Sequence, residues 1–240
     1  MFLLYLLSKI QHSNNETFIN NNRNIPKIIH QTAPKDKKKW PETWKICQKT
    51  WKKHFPSPEY KYMFWNDDDL DIFIKRNYNW FYKYYKGYKS NICRVDSARY
   101  FILHYYGGIY ADMDFYCFKN FYDKLEQDKI CIVESPYKFN ESLQNSLMAS
   151  PKNHIHWNNV FSDLVKYRNK QIISDISGPR LLDISFKNIN IQVLPYKYYN
   201  PDMDSKKWYT NKNLYTKHYL TSVWTNRGMG SNIRDKLFTT

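Results

Sequence analysis

The stretch GIYADMDFYC, Gly108 to Cys117, places two carboxylates around one methionine, Asp112 and Asp114. Read as a strand, it turns Tyr110, Asp112, Asp114 and Tyr116 to one face and Ile109, Ala111, Met113 and Phe115 to the other. The carboxylates then sit about 7 Å apart along a sheet whose other face is apolar. Desolvating two like charges is costly without compensation. A divalent cation with a phosphorylated ligand supplies it, and oxygen ligands favour Mg²⁺ or Mn²⁺ over zinc. The competing reading is a strand end turning into solvent, with both aspartates hydrated. The same tripeptide recurs in NPDMDSKKW as Asp202, Met203 and Asp204. There Asn200 and Pro201 mark a loop, where the charges are solvated at little cost. A third acidic run, NDDDLD from Asn66 to Asp71, reads as a helix start. Asn66 is its cap, and Asp67, Asp68 and Asp69 offset the positive end of the dipole.

What precedes the first copy separates it from the other two. SNICRVDSARYFILHYYGG repeats apolar residues at the helical step through Val95, Ala98, Ile102 and Tyr105, with Gly107 at the expected stop. That helix carries Arg94, Asp96 and Arg99 into a Gly-Gly turn and then into the aspartates. Charged groups converging on one strand end are typical of ligand sites in α/β folds. Asp96 and Arg99, three apart, could equally do no more than pair with each other, which is worth roughly a few tenths of a kcal/mol.

The remaining elements form the frame. IPKIIHQTA reads as a buried strand, WPETWKICQKTWKKHFP as a helix, EYKYMFWND and KICIVES as strands. ESLQNSLMAS and HIHWNNVFSDLVKYR read as helices. ISGPRLLDISF reads as a Gly-Pro turn entering a helix, and NIQVLPYKYYNPDMDS as a strand running into a loop. No internal repeat is present. Strands alternating with helices predict an α/β fold with a mostly parallel central sheet.

Composition narrows the classes. The 240 residues are 42% hydrophobic with only 6 glycines, so a packed core is expected rather than disorder. The net charge of +15 suits a nucleic acid, an anionic membrane surface or a phosphorylated substrate, or solubility alone. Cys47, Cys93, Cys117 and Cys131 form no CxxC pair, so buried free thiols are expected rather than a zinc knuckle. The opening MFLLYLLSKI is apolar over seven residues, against the roughly 20 needed to span a bilayer, and lacks a basic leader. A soluble or peripheral protein is expected.

The blocks IPKIIHQT, FWND, CRVDSARYFILHYYGGIYADMDF, SGPRLLD and HYLTSVW, in this order, resemble glycosyltransferase family 32. This DXD-containing family includes the yeast Golgi initiating α-mannosyltransferases, and is distantly similar to the large clostridial glucosylating toxins. The resemblance covers roughly residues 25 to 224, and its specific part runs from Arg94 to Phe115. It implies a GT-A fold, a nucleotide-binding α/β sandwich, with 1–24 an extension and 25–240 a single catalytic domain. It implies a UDP-hexose or GDP-mannose donor, Mn²⁺ or Mg²⁺, and retention of anomeric configuration. By position, Asp112 falls near the donor ribose and metal, while Asp114 and His218 fall on the metal. Asp96 and Arg99 contact the donor sugar and phosphate, and Asn145 lies near the transferred sugar; these three are the implied catalytic residues. The donor-binding set also includes His30, Gln31 and Thr32 at the end of the first strand, then Tyr110, Gly178, Pro179 and Trp224. The family's membrane anchor is absent or reduced to FLLYLL, so Golgi-type anchoring is not expected.

This chemistry suits those groups. The departing diphosphate gains negative charge, which a divalent cation and Arg99 stabilise. The sugar becomes oxocarbenium-like, which Asp96 can stabilise. Front-face attack, with a leaving phosphate oxygen taking the acceptor's proton, would give retention. The expected activity is a retaining hexosyltransferase acting on a glycan or glycoprotein acceptor, with no nucleic-acid partner and possible peripheral membrane contact. A large virus or protist is the expected source, with host cytoplasm or virion preferred to a Golgi-like lumen. Two other classes stay open. One is a metal-dependent phosphoesterase or nuclease, which needs further carboxylates near Asp112. The other is a basic, aromatic nucleic-acid binder, which would be indifferent to the aspartates.

Overall fold

A computed structural model of the chain describes residues 24–137, 141–202 and 210–221. Its centre is a six-stranded sheet built from β1 (Ile28–Thr32), β2 (Lys61–Trp65), β3 (Gly108–Ala111), β5 (Cys131–Glu134), β6 (Leu143–Ser150) and β7 (Gln192–Leu194). The order is β2-β1-β3-β6-β5-β7, and β6 alone runs against its neighbours. The sheet is therefore mostly parallel, as alternating elements predict. A separate ribbon pairs β4 (Phe115–Cys117) antiparallel with β8 (Thr216–His218).

Helices cover both faces. On one side α1 (Glu42–His54) buries Cys47 and Trp51. On the other lie α2 (Asp67–Asn77), α3 (Asn79–Gly87), α4 (Asn91–Tyr106), α5 (Trp157–Lys166), α6 (Ile173–Ile176) and α7 (Pro179–Ser185). Two large apolar clusters result. Tyr110 belongs to one, and Ile109 and Ala111 to the other, so β3 is buried on both faces. A short α8 (Tyr196–Tyr199) follows β7. The four cysteines are free and buried. The Tyr-rich YNWFYKYYKG becomes α3, which buries Phe81 and Tyr85 in the core. None of the described helices is long and apolar enough to cross a membrane.

Local signals hold where one segment suffices to satisfy them. Asn66 accepts from the backbone of Asp68 and Asp69, and the Asp69 carboxylate accepts from the Asn66 backbone, completing a capping box. The helix α4 ends at Gly107, with φ +66°, and Gly108 follows at φ +100°. A Cβ on Gly108 would lie 2.5 Å from the Ile28 carbonyl, so both conformation and space require glycine there.

Two expectations fail. ESLQNSLMAS is not a helix: Leu143–Ser150 is β6, wedged between β3 and β5 and buried along its whole length. A strand covered on both faces shows no alternation, and local propensity yields to its place in the sheet. Nor does GIYADMDF run as one strand. β3 ends at Ala111, the chain turns through Met113 and Asp114 with Phe115 N–H bonded to the Asp112 carbonyl at 3.1 Å, and β4 starts in the other ribbon. Tyr110, at the end of β3, is buried and reaches Asp112 through its hydroxyl.

Two histidines are held neutral in this core. His30 Nε2–H donates to the Gly107 carbonyl at 2.9 Å, since its Nδ1 accepts the Trp65 indole N–H at 3.3 Å. His104 Nδ1 meets the Tyr78 hydroxyl at 2.7 Å. Burial pushes each down to about 4. The unfolded chain binds protons below about pH 6.5 that these folded groups refuse. Their contribution to stability is full above that pH and is lost as pH falls toward 4, by up to about 3 kcal/mol each. Urea unfolding at pH 7.5 and 5 should show a steeper acid loss for the native chain than for His104→Gln. Equal losses would contradict this account.

Candidate active site

A cleft of about 660 Å³ opens at the carboxyl end of β1 and β3, where Thr32, Asp96, Arg99, Asp112, Asp114 and Asn145 meet. Its floor is organised by Arg99, buried on α4. Arg99 Nη2 lies 2.8 Å from Asp96 Oδ1, and Nη1 lies 3.1 Å from Asp112 Oδ1. Nη1 also donates to the Asn145 carbonyl at 2.8 Å, and the guanidinium stacks 4.6 Å from the centre of the Tyr110 ring. Burial pulls the Arg99 pKa down, but Asp112, Tyr110 and Asp96 outweigh it, and the group stays charged.

The two carboxylates beside Arg99 differ. Burial pushes Asp96 up to about 6 against the pull of Arg99. Asp112 is also raised by burial, with Arg99 opposing and Asp114 adding to the rise. The Tyr110 hydroxyl donates to Asp112 Oδ1 at 2.7 Å. Thr32 Oγ1, 2.9 Å from the same hydroxyl, must therefore be the donor to it. Asn145 on β6 donates its amide to the Tyr100 hydroxyl at 3.1 Å, and Tyr100 in turn donates to the Ser177 carbonyl at 2.7 Å. That chain ties α4 to the turn at Gly178 and Pro179, which borders the cleft.

Asp114 is held from another direction. Its Oδ2 accepts the Thr221 backbone N–H and hydroxyl, both at 2.8 Å, and its Oδ1 lies 3.1 Å from His218 Nε2. Burial would raise this carboxylate, yet His218 and Thr221 together hold it at about 2. His218 arrives because β8 pairs with β4, setting Phe115 opposite it in register and stacking the rings 4.5 Å apart. Trp44 braces Thr221 with an indole hydrogen bond of 3.1 Å. Asp112, Asp114 and His218 thus present two oxygens and one nitrogen within 4.8 Å of one another, the one such metal-capable group among the described residues.

The fold therefore gathers Thr32, Asp96, Arg99, Asp112, Asp114, Asn145, Gly178, Pro179 and His218 around one cleft. Three expectations change. His30 is buried at the Gly107 turn and does not border the cleft: it shares a face of β1 with Thr32 but lies two residues further from the strand end, where its ring packs into the aromatic core. Gln31 faces the opposite side of the sheet, where it lines a separate small cavity. Tyr110 does not line the cleft: it lies beneath it, positioning Asp112 and Arg99. Trp224, Met203 and Asp204 lie outside the described residues. Sequence alone did not single out Trp44, Asn91, Gln144 or Thr221, which also border the cleft. Thr221 sits inside the HYLTSVW block and was within reach. Trp44 and Gln144 fall in segments that read as helices and carry no separate signal.

Comparison with known proteins follows the same lines. Residues 41–135 match the family described as the glycosyltransferase sugar-binding region containing DXD motif. Mannosyl phosphorylinositol ceramide synthase CSH1 of Saccharomyces cerevisiae is 31% identical over 228 residues, which span 84% of this chain and 58% of that protein. The chain thus covers little more than half of that relative's length. A glycosyltransferase of Acanthamoeba polyphaga mimivirus, L373, is 28% identical over 83% of this chain and 84% of its own. Among solved structures, the PaToxG glycosyltransferase superposes with a TM-score of 0.54 at 19% identity, covering 69% of this chain and 70% of its own.

Arg99→Met would leave Asp96 and Asp112 facing each other without a counter-charge. The expected loss is about 3–5 kcal/mol of unfolding free energy by urea titration at pH 8. It should shrink at pH 5, where Asp96 takes up a proton. A variant as stable as the native chain at pH 8 would refute the role given to Arg99.

Proposed function

We propose that the chain, whose residues 41–135 match the glycosyltransferase sugar-binding region containing DXD motif and whose fold is of the GT-A type, moves a hexose, with retention, from a nucleoside-diphosphate sugar. The observation that carries this reading is the convergence of Asp112, Asp114 and His218 beside the Arg99–Asp96 pair at one strand end. Asp112, Asp114 and His218 are the residues that would hold a divalent cation. Two carboxylates with one imidazole suit Mn²⁺ well, and Mg²⁺ next. Such a cation would neutralise the diphosphate as its bond to the sugar breaks.

The chain's own groups do the rest. His218 and Thr221 keep Asp114 ionised, and Trp44 holds Thr221 in place. Arg99 supplies a fixed positive charge beneath the cleft, already oriented before any ligand arrives. Asp96, when ionised, stabilises positive charge developing on the sugar ring. Asn145 is fixed by Tyr100 and positions the transferred sugar. The name of the yeast relative points to mannose as the sugar and to a phosphoinositol lipid, alongside a glycan or glycoprotein, as acceptor. The mimivirus relative supports a viral setting, in host cytoplasm or virion. A two-metal hydrolase is disfavoured, because no third carboxylate joins the metal-capable group among the described residues.

A panel of UDP- and GDP-sugars with Mn²⁺ tests the proposal, read as nucleotide release with and without acceptor. Turnover of at least one donor is expected, abolished by chelation. Asp114→Asn should lower kcat/KM by about 100-fold or more. Silence across the panel would sink the reading. The pH profile is a second check. Since burial raises Asp96 to about 6, kcat/KM should fall as pH drops through that value. Asp96→Asn should remove this acid limb along with most of the rate; an unchanged limb would assign it to another group.

A further inference from the structure

A second cavity, of about 150 Å³, lies on the other face of the sheet, between β1, β2 and α1. Gln31, Tyr62, Gln48, Lys37 and Lys52 line it, and none of them borders the donor cleft. Gln31 and Tyr62 come to it together because β1 and β2 pair in parallel register, Ile29 against Tyr62 and Gln31 against Phe64, on the face toward α1. Gln48 and Lys52 are one helical turn apart on α1.

Its chemistry is specific. Gln31 is 1% exposed, yet neither its amide nitrogen nor its amide oxygen has a protein partner. The Tyr62 hydroxyl is likewise buried without one. Leaving three such groups unsatisfied would cost roughly 1–3 kcal/mol each. The volume exceeds by far the roughly 10–15 Å³ that a single water needs. No carboxylate borders the cavity, whereas two lysines do. Lys35, Lys38 and Lys39, close in sequence to Lys37, and Lys49 and Lys53, on α1 with Lys52, are exposed and add to the positive field.

We infer that this cavity is a phosphate-binding site, separate from the donor cleft. Lys37, Lys52, the Gln31 amide N–H and the Tyr62 hydroxyl donate to the anion's oxygens. The Gln31 amide oxygen needs a donor in return. The ligand therefore carries an O–H as well as charge: protonated inorganic phosphate, or the polyol phosphate headgroup of a lipid. Sulfate, fully ionised, satisfies only the donors.

Calorimetric titration of the full chain in EDTA tests this, since the metal-free donor cleft presents carboxylates and repels anions. Inorganic phosphate should bind, and sulfate should bind about tenfold more weakly. Gln31→Leu should weaken phosphate by about tenfold or more. Lys37→Ala with Lys52→Ala, exposed positions that leave the core intact, should do the same. Flotation with phosphatidylcholine vesicles containing phosphatidylinositol separates the two sources. Recruitment lost in Gln31→Leu assigns the site to a lipid headgroup. Phosphate binding without Gln31-dependent recruitment assigns it to the free anion. Absence of phosphate binding, or equal affinity in the native chain and the lysine variant, would overturn the inference.

Discussion

The guanidinium of Arg99 lies between two carboxylates in a place almost sealed from water. A charge there is tolerable only because Asp96, Asp112, the Asn145 carbonyl and the Tyr110 ring all meet it at close range. Those partners come from α4, the turn after β3, β6 and β3 itself. One ion cluster thus fixes the relative positions of four segments. The same cluster sets the properties of the cleft, because the mutual distances that neutralise Arg99 also leave Asp112 facing outward with a free carboxylate edge. Stability of the floor and readiness of the site have the same cause.

The second aspartate depends on a longer reach. Asp114 sits more than a hundred residues before Thr221 and His218, yet both its oxygens are engaged by that distant segment. The β4–β8 ribbon makes this possible, and Trp51 anchors it from α1 through a hydrogen bond to the Phe115 carbonyl at 2.8 Å. Two supports of different origin therefore converge on a tripeptide: one local, through α4, and one from the C-terminal part of the chain. A cation held between them would bind both halves of the domain together, coupling ligand binding to folding.

His30 shows how a motif residue can serve the site without touching it. It sits in the HQT end of the first strand, where the resemblance implied donor contacts. Its ring instead bonds the Gly107 carbonyl, the point at which α4 gives way to β3. The turn needs two glycines at positive φ, and a histidine held neutral pins it from the neighbouring strand. Thr32, two residues on, borders the cleft and bonds the Tyr110 hydroxyl beneath it. Gln31 between them points to the opposite face, as strand alternation requires.

Much was legible without coordinates. The 3–4 spacing through Val95, Ala98 and Ile102, the Gly-Gly stop and the capping acids at Asn66 are signals that a single segment satisfies by itself, so they survive into the fold unchanged. The family blocks, read in order, supplied Thr32, Asp96, Arg99, Asp112, Asp114, Gly178, Pro179 and His218, which border the cleft. The tertiary structure decided the rest. It made ESLQNSLMAS a strand, because only a central place in the sheet makes a doubly buried β6 favourable. It broke GIYADMDF into a strand and a turn, which the chain could not announce because the break depends on β8 capturing Phe115. It also separated Tyr110 and His30 from the residues that face the cleft. Local sequence sets periodicity and caps through contacts a few residues apart; which side chain faces a cleft depends on partners more than a hundred residues away, and those meet only once the chain has packed.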